Sequence, residues 1–143
     1  MAYKKGDAIE DPEELWRSYY SNPIQRAFDP NCTMAHSRVF KLRPKDEGRL
    51  SVDVSRLTTY GDSIGDPSEY LLFGISAGDV HGIDGLKTHY SPLIDNLAHT
   101  DILGIPEGAE DVVPGLLARR AYPVPDPSTG IVRVPTPSQR KGG

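Results

Sequence analysis

The sequence lacks long apolar runs and a second cysteine, and each absence excludes a class of protein. No stretch approaches the roughly 20 consecutive apolar residues of a transmembrane helix. The single cysteine, Cys32, excludes an internal disulfide framework and a cysteine-rich zinc site. Residues 1–11 contain several charged side chains and no apolar segment of the kind found in secretory signals. We therefore expect a soluble, cytoplasmic protein.

Complete catalytic and phosphate-binding motifs are also missing. The segment 61–65 lacks the Lys-Ser/Thr pair of a P-loop. Ser76 lies in a Gly-x-Ser-x-Gly pattern, but a helix rather than a strand is predicted before it, so it is not expected to be catalytic. No two histidines have the i, i+4 spacing of a helical metal site. We predict no cofactor and no metal; a zinc site built from His81, His89 and His99, or a reactive Cys32–His36 pair, is the less favoured interpretation.

Charge is the first informative feature of what is present. The chain has 16 basic and 20 acidic residues, a net charge of −4, which argues against general coating of nucleic acid. The charge is segregated, with about +3 over residues 36–49, −9 over 60–111 and +4 over 112–143. Either these segments neutralise one another within one domain, or the basic segment forms a groove for an anionic ligand such as a nucleotide.

Hydrophobic periodicity and turn residues predict a series of short elements. Asp11-Pro12-Glu13-Glu14 is typical of a helix start and predicts a helix over 12–20, followed by a loop over 22–35. Alternation predicts strands at 37–43 and 49–54, joined as a hairpin by the turn 44–48, with Leu50, Val52 and Val54 on one face and Ser51 and Asp53 on the other. A second helix start at Asp66, strands at 78–83 and 100–103, and a helix within 109–121 complete the set.

Glycine, proline and overall composition define the fold class. The chain contains 14 Gly, 13 Pro and 37% hydrophobic residues, and its length suits a single domain that buries most of its apolar surface. From Tyr122 prolines recur and the end is basic. We predict one α+β domain over 1–121, a small antiparallel sheet covered by two or three short helices, and a flexible Pro-rich tail over 122–143 in which 131–134 could add an edge strand.

Two clusters of polar residues are candidate binding sites. The first lies on the predicted hairpin, where Arg side chains offer planar donors to an anion and a histidine titrates near neutrality; it comprises His36, Arg38, Lys41, Arg43, Lys45, Asp53 and Arg56. The second comprises Asp95, Asn96 and His99, where an Asx turn can hold the histidine in a loop and leave its ring free. The alternative to a binding role is a solvated hairpin with internal ion pairs, each contributing about 0–1 kcal/mol.

These two clusters coincide with a family resemblance. The segment from Arg38 to Thr59 and the segment Asp95-Asn-Leu-Ala-His99 resemble the two blocks of a small uncharacterised bacterial family. The resemblance covers about half the chain and implies that the blocks belong together. It implies no particular chemistry, because no activity is attached to that family.

We therefore predict a non-enzymatic binding or adaptor module in a bacterial complex, such as a defence, toxin–antitoxin or immunity cassette, with a protein partner. The bacterial setting follows from the resemblance alone. The alternative is a small enzyme acting on a nucleotide or nucleic acid, in which Arg38 and Arg43 hold phosphate, His36 or His99 is the general acid/base, and Asp53 orients it. Both hypotheses require the predicted hairpin and the Asp95–His99 segment to lie side by side.

Overall fold

The computed structural model describes residues 3–20, 37–42, 48–66 and 69–132. Within these ranges the strands are β1 (Glu14–Tyr20), β2 (Leu50–Val54), β3 (Tyr70–Ser76), β4 (Lys87–Tyr90), β5 (His99–Leu103) and β6 (Tyr122–Pro123). The helices are α1 (Tyr60–Ile64), α2 (Ala77–His81) and α3 (Val113–Arg120), and short 3₁₀ helices span Ser37–Phe40 and Ser55–Leu57. The predicted loop over 22–35 lies outside the described residues, as do Cys32, His36, Arg43 and Lys45.

The six strands form one antiparallel sheet in the order β4-β5-β2-β1-β3-β6. The α+β class predicted from the sequence, with a small antiparallel sheet and short helices, is confirmed. The two central strands, β2 and β1, are separated in the chain by residues 21–49, so the sheet depends on non-local pairing.

One face of the sheet, the inner face, carries the main hydrophobic core. Leu50, Val52 and Val54 of β2 are buried there, as the alternation predicted. Val39 and Phe40 of the first 3₁₀ helix and Leu117 of α3 belong to the same core cluster. A smaller cluster of Ile64, Leu72 and Val124, with Trp16, Tyr60 and Tyr70 packed against it, lies apart from this core. Apolar side chains therefore cover both faces of the β1–β3 half of the sheet.

The helix predicted over 12–20 is wrong, because residues 14–20 form β1. Leu15 and Tyr19 pack in the main core, whereas Trp16 packs in the smaller cluster. A strand buried in part on both faces places large side chains at spacings that also fit a helix. The Asp11-Pro12 signature instead lies in a turn, in which the backbone N–H of Glu13 donates to the carbonyl of Glu10 at 3.0 Å.

The helix predicted after Asp66 is also wrong, because residues 70–76 form β3. Leu71, Leu72, Phe73, Gly74 and Ile75 are all buried. A continuous apolar run is typical of a strand that is covered on both sides. The backbone N–H groups of Glu69 and Tyr70 donate to the carbonyl of Asp66 where the chain enters the strand.

The strand predicted over 37–43 is replaced by the 3₁₀ helix Ser37–Phe40, so the predicted hairpin does not form. The partners of β2 are β1 and β5. Burial explains the difference: Val39 and Phe40 are both fully buried, and adjacent residues cannot both face the core from a half-buried strand. A 3₁₀ turn places both against the sheet.

Of the remaining predicted elements, two strands and one helix are confirmed and one strand is wrong. The strands at 49–54 and 100–103 are confirmed as β2 and β5, and the helix within 109–121 is confirmed as α3, with Pro114 in its first turn. The strand predicted over 78–83 is wrong. There α2 begins at Ala77, and Ser76 caps it by accepting a hydrogen bond from the backbone N–H of Asp79 at 3.0 Å.

The start of the predicted tail contacts the domain. Tyr122 and Pro123 pair with β3 as the edge strand β6, and the N–H of Val124 donates to the carbonyl of Leu72 at 2.8 Å. Ile131 forms an isolated bridge with Asp126, while 133–143 lie outside the described residues. The longest helix in the described ranges has eight residues, and none there has the length and apolar character needed to cross a membrane.

Candidate functional site

A row of side chains crosses five strands on the outer face of the sheet, the face that carries Ser51 and Asp53. His99 of β5 lies opposite Asp53 of β2, which lies opposite Trp16 of β1. Trp16 lies opposite Gly74 of β3, and Gly74 lies opposite Tyr122 of β6. Directly opposed residues in antiparallel strands share a face. The register therefore brings Asp53 and His99, both singled out from the sequence, into one row.

Asp53 is held between a loop and a helix. Its Oδ1 accepts a hydrogen bond from Asn96 Nδ2 at 2.9 Å, and its Oδ2 accepts one from Ser63 Oγ of α1 at 2.9 Å. Both carboxylate oxygens thus have donors, and bonds to an ionised acceptor are the stronger kind. The Asn96 contact and the β2–β5 pairing bring β2, the second strand of the predicted hairpin, beside the segment 95–99.

His99 is oriented by a backbone carbonyl rather than by Asp53. Its Nδ1 lies 2.8 Å from the carbonyl oxygen of Ser91, which can only accept, so the ring carries a proton on Nδ1. Its Nε2 lies 3.2 Å from Ser51 Oγ and 3.8 Å from Asp101 Oδ1. In the neutral ring Nε2 is therefore an acceptor for the exposed Ser51 hydroxyl. The orienting role predicted for Asp53 falls to the Ser91 carbonyl.

The loop between β4 and β5 is fixed by its own hydrogen bonds. Leu93 and Asn96 exchange backbone N–H···O bonds of 2.9 and 3.0 Å, which closes a tight turn. Asn96 Oδ1 accepts from the N–H of Ala98 at 3.2 Å, and Tyr90 Oη donates to the carbonyl of Leu97 at 2.6 Å. The predicted Asx-type turn around Asn96 is thus present, and Asp95 is exposed in it.

Beside this row, β1 and β2 separate. In the described part of the sheet they pair only at Leu15–Val54 and Trp16–Asp53. The guanidinium of Arg17 crosses the gap, where Nη1 donates to the carbonyl of Ser51 at 2.7 Å and Nε donates to the carbonyl of Val39. Arg17 therefore fixes the two strands and the 3₁₀ helix at a set separation.

An open space of about 940 Å³, the groove, lies where β1 and β2 separate. Its floor carries Asp53, Asn96 and His99, and the aromatic residues that line it are Trp16, Tyr19, Tyr20 and Tyr70. Lys41, Arg17 and Asp62 add charges of both signs. Fixed polar groups beside aromatic rings are typical of ligand- and partner-binding surfaces.

The indole of Trp16 has an unusual environment. Among the side-chain polar atoms of the described residues, its Nε1 is the one that is buried without a hydrogen-bond partner. A buried N–H donor without an acceptor costs about 1–3 kcal/mol. The Trp16 side chain lines the groove, but its Nε1 is itself buried, so the unpaired N–H is a local cost to stability and not a donor that faces the groove.

Of the cations predicted to bind a ligand, only some can be located, and they do not all line the groove. Lys41 lines the groove, and its Nζ lies 4.0 Å from Asp111, a contact between the basic and acidic segments of the chain. Arg56 does not line it. The side chain of Arg38, like His36, Arg43 and Lys45, lies outside what the structure describes.

Arg56 instead belongs to a separate cluster with Glu13 and Tyr3. Its Nη2 lies 2.5 Å from Glu13 Oε2, and its guanidinium lies 5.8 Å from the centre of the Tyr3 ring. Tyr3 Oη donates to the same carboxylate at 3.0 Å. The hydrogen bonds from Arg56 hold the pKa of Glu13 below its ordinary value, and burial raises the pKa of Tyr3. This cluster tethers the N-terminal segment and does not contribute to the groove.

A second histidine, His81, has partners that resemble a hydrolase triad but serve a different purpose. Its Nδ1 lies 2.6 Å from Asp11 Oδ1, and its Nε2 lies 2.8 Å from Thr88 Oγ1. Thr88 is completely buried, and its hydroxyl accepts a hydrogen bond from the N–H of Ile9 at 2.9 Å. No substrate can reach that hydroxyl, so the cluster is a structural clamp.

Several groove residues were missed by the sequence analysis. Trp16 and Arg17 were assigned to a helix, which hid their position on a strand at the centre of the sheet. Ser63 contacts Asp53 from α1, and no local pattern indicates that contact. The alternation Leu50-Ser-Val-Asp-Val54 was the one signal that placed Ser51 on the same face as Asp53.

Comparison with protein-family models, with curated proteins and with solved structures finds no match to this chain. The resemblance to a small bacterial family stays a prediction. Within the described ranges, no three His, Cys, Asp or Glu side chains come close enough together to hold a metal ion.

Proposed function

We propose that this chain is a non-enzymatic binding module that holds a segment of a partner protein in the groove. The observation that carries the proposal is the fixed polar floor. Asn96 and Ser63 hold Asp53 in place, and the Ser91 carbonyl holds His99. Side chains already held in one geometry lose little conformational entropy when a partner binds, so an open groove with such a floor is suited to recognition.

The composition of the groove favours a polypeptide over a highly charged ligand. Lys41 and Arg17 are countered by Asp53 and Asp62, so the groove has no strong excess of one sign. Its aromatic rings suit apolar and backbone groups of a peptide. Because β1 and β2 separate beside it, an extended segment has strand backbone nearby with which to form main-chain hydrogen bonds.

The wider role proposed is that of a cytoplasmic adaptor in a bacterial complex, such as a defence, toxin–antitoxin or immunity cassette. This setting is supported only by the resemblance of the segments 38–59 and 95–99. The geometry of the groove supports the binding role independently of that setting.

The direct test is selection of peptides from a random display library on the purified full chain, followed by titration of the selected peptides. The chain has one tryptophan, so the indole fluorescence and indole N–H resonance of Trp16 report on the groove without ambiguity. We expect saturable changes in both signals. Lys41→Ala should weaken binding about three- to tenfold by the Trp16 signals, and Trp16→Phe, which removes this reporter, should weaken it to a similar extent by titration calorimetry.

Arg119→Ala is the matched control for Lys41→Ala, because Arg119 is an exposed cation that does not line the groove. It should leave peptide affinity unchanged. If no peptide is enriched, or if selected peptides bind without changing the Trp16 signals, the proposal is wrong.

A second candidate function is catalysis on a nucleotide, and one observation favours it. The Nε2 atom of His99 lines the groove as an acceptor, with Ser51 Oγ at 3.2 Å and Lys41 in the same lining. A thermal-shift screen against nucleotides tests this function, since a ligand at about 100 times its dissociation constant adds roughly 2.7 kcal/mol of stability. A rise in melting temperature that is lost in His99→Gln would support it, and no rise with any nucleotide would exclude it.

A further inference from the structure

Three large apolar side chains project from the tight turn that borders the groove. These residues, which form the apolar tip, are Leu93, Ile94 and Leu97, with relative exposures of 46, 102 and 65%. The turn that carries them is closed by the Leu93–Asn96 backbone bonds and tied to the sheet through Asn96 and Asp53. The apolar tip is therefore both exposed and held in place.

Exposed apolar side chains that lie together on an ordered element mark an interaction surface. A membrane is a poor occupant, since the exposed Asp95 lies within the tip and residues 60–111 carry a net charge of about −9, which anionic lipid repels. A protein surface with aromatic side chains and a cation to pair with Asp95 is the better complement.

The molecule itself carries such a surface beside the tip. The groove offers aromatic rings for apolar side chains and Lys41 for Asp95. The Lys41 side chain is 63% exposed, and its 4.0 Å contact with the exposed Asp111 is one that Asp95 of a second copy can replace. Asn96 belongs to both features, because it closes the turn and lines the groove. When a protrusion and its complement are adjacent on one face, a two-fold axis beside them places each protrusion in the other molecule's groove, which gives a closed, self-complementary dimer.

We infer that a second copy of this chain is the occupant of that face, with the apolar tip of each copy in the groove of the other and Asp95 facing Lys41. The inference rests on the proposed function in one respect, that the groove binds polypeptide. It adds that the free protein is a weak symmetric dimer and that a partner segment competes with the second copy for the groove.

The test is sedimentation velocity on the full chain from about 1 μM to about 1 mM, a range that spans weak specific association. A reductant is included so that Cys32 does not form a disulfide between copies. We expect a monomer–dimer equilibrium for the wild type and a monomer for Ile94→Asp over the same range. Ile131→Asp is the matched control, because Ile131 is 66% exposed and does not line the groove, and it should dimerise like the wild type.

A charge exchange tests the Asp95–Lys41 contact itself. Asp95→Lys and Lys41→Glu should each weaken the dimer about threefold, in the range of a partly exposed ion pair, and the double variant should restore the wild-type dissociation constant. A wild type that stays monomeric overturns the inference, even if it binds lipid vesicles through the tip. An Ile94→Asp variant that still dimerises, or a double variant without rescue, overturns it as well.

Failure of this inference is distinguishable from failure of the proposed function. If the wild type is monomeric but selected peptides still change the Trp16 signals, the binding module stands and the dimer does not. If no peptide binds and Ile94→Asp remains monomeric beside a dimeric wild type, the groove serves self-association alone.

Discussion

Asp53 connects three segments that are distant in the sequence. It lies on β2, and its carboxylate accepts hydrogen bonds from Asn96 in the turn before β5 and from Ser63 in α1. Its position on the outer face was predictable, because Leu50, Val52 and Val54 alternate with Ser51 and Asp53. Its partners were not, since hydrogen bonds between residues 10 and 43 positions apart leave no periodic trace in the sequence.

Replacing Asp53 with alanine removes both acceptors at once. We expect Asp53→Ala to lower the free energy of unfolding by about 2 kcal/mol, because two hydrogen bonds to a carboxylate are lost while the Asn96 and Ser63 donors remain. Urea denaturation measures this change. The exposed Asp84 is a suitable control, and Asp84→Ala should change stability by less than about 0.5 kcal/mol. Equal effects of the two substitutions would contradict the account of Asp53.

Glu13 gives the protein a pH-dependent contribution to stability. The hydrogen bonds from Arg56 hold the pKa of Glu13 below the value of about 4.3 for an unfolded chain. A depressed pKa in the folded state adds stability above the unfolded pKa, and this contribution is lost as the pH falls through the folded pKa. The stability difference between wild type and Glu13→Gln should therefore be present at pH 7 and should shrink below about pH 4. A difference that stays constant down to pH 2 would contradict this assignment.

At the scale of elements, the sequence was informative where one face of an element is buried and misleading where both faces are. β2 and α3 each bury one side, and their patterns predicted them correctly. β1 and β3 place apolar side chains on both sides of the sheet, and each follows an Asp-Pro turn that imitates a helix start. The strand order in the sheet follows from packing between distant segments, so the groove between β1 and β2 could not be predicted.

Gly74 of β3 lies close to the ring of Tyr122 in the neighbouring strand β6. A Cβ atom at this position would lie 2.7 Å from the ring of Tyr122, whose hydroxyl donates to Glu14. Gly74→Ala should therefore displace Tyr122, lower stability by about 1–3 kcal/mol and speed hydrogen exchange of the Val124 N–H. Gly61→Ala in α1 is the control, because nothing lies within 4 Å of that Cβ; it should stabilise by about 0.5–1 kcal/mol. If Gly74→Ala leaves Val124 exchange unchanged, β6 is not packed as described.

Thr88 tests the structural assignment of the His81 cluster. Thr88→Val keeps the volume but removes the acceptor for the buried N–H of Ile9 and the partner of His81 Nε2. We expect a loss of about 1–3 kcal/mol in unfolding free energy, with Thr88→Ser retaining most of the stability. Peptide binding to the groove should be unaffected at temperatures where the variant is folded. A variant with native stability would show that the clamp contributes nothing.

At the scale of the whole molecule, the ion pair between Lys41 and Asp111 joins the basic segment 36–49 to the acidic segment 60–111. Lys41 also lines the groove, so the basic segment contributes to the groove even though its predicted strand does not form. The hairpin predicted to lie beside residues 95–99 does not form, but its second strand, β2, does lie beside them through the β2–β5 pairing and the Asn96–Asp53 bond.

The central claim is that this shared face is one recognition groove. The most direct measurement is an ¹⁵N NMR titration of the full chain with a selected peptide, following the indole N–H of the single tryptophan and the amides of Asn96 and His99. The account predicts that all three resonances shift together along one binding curve, because Trp16, Asn96 and His99 all line the groove. A peptide that binds with saturable shifts elsewhere, while these three resonances stay fixed, would contradict it.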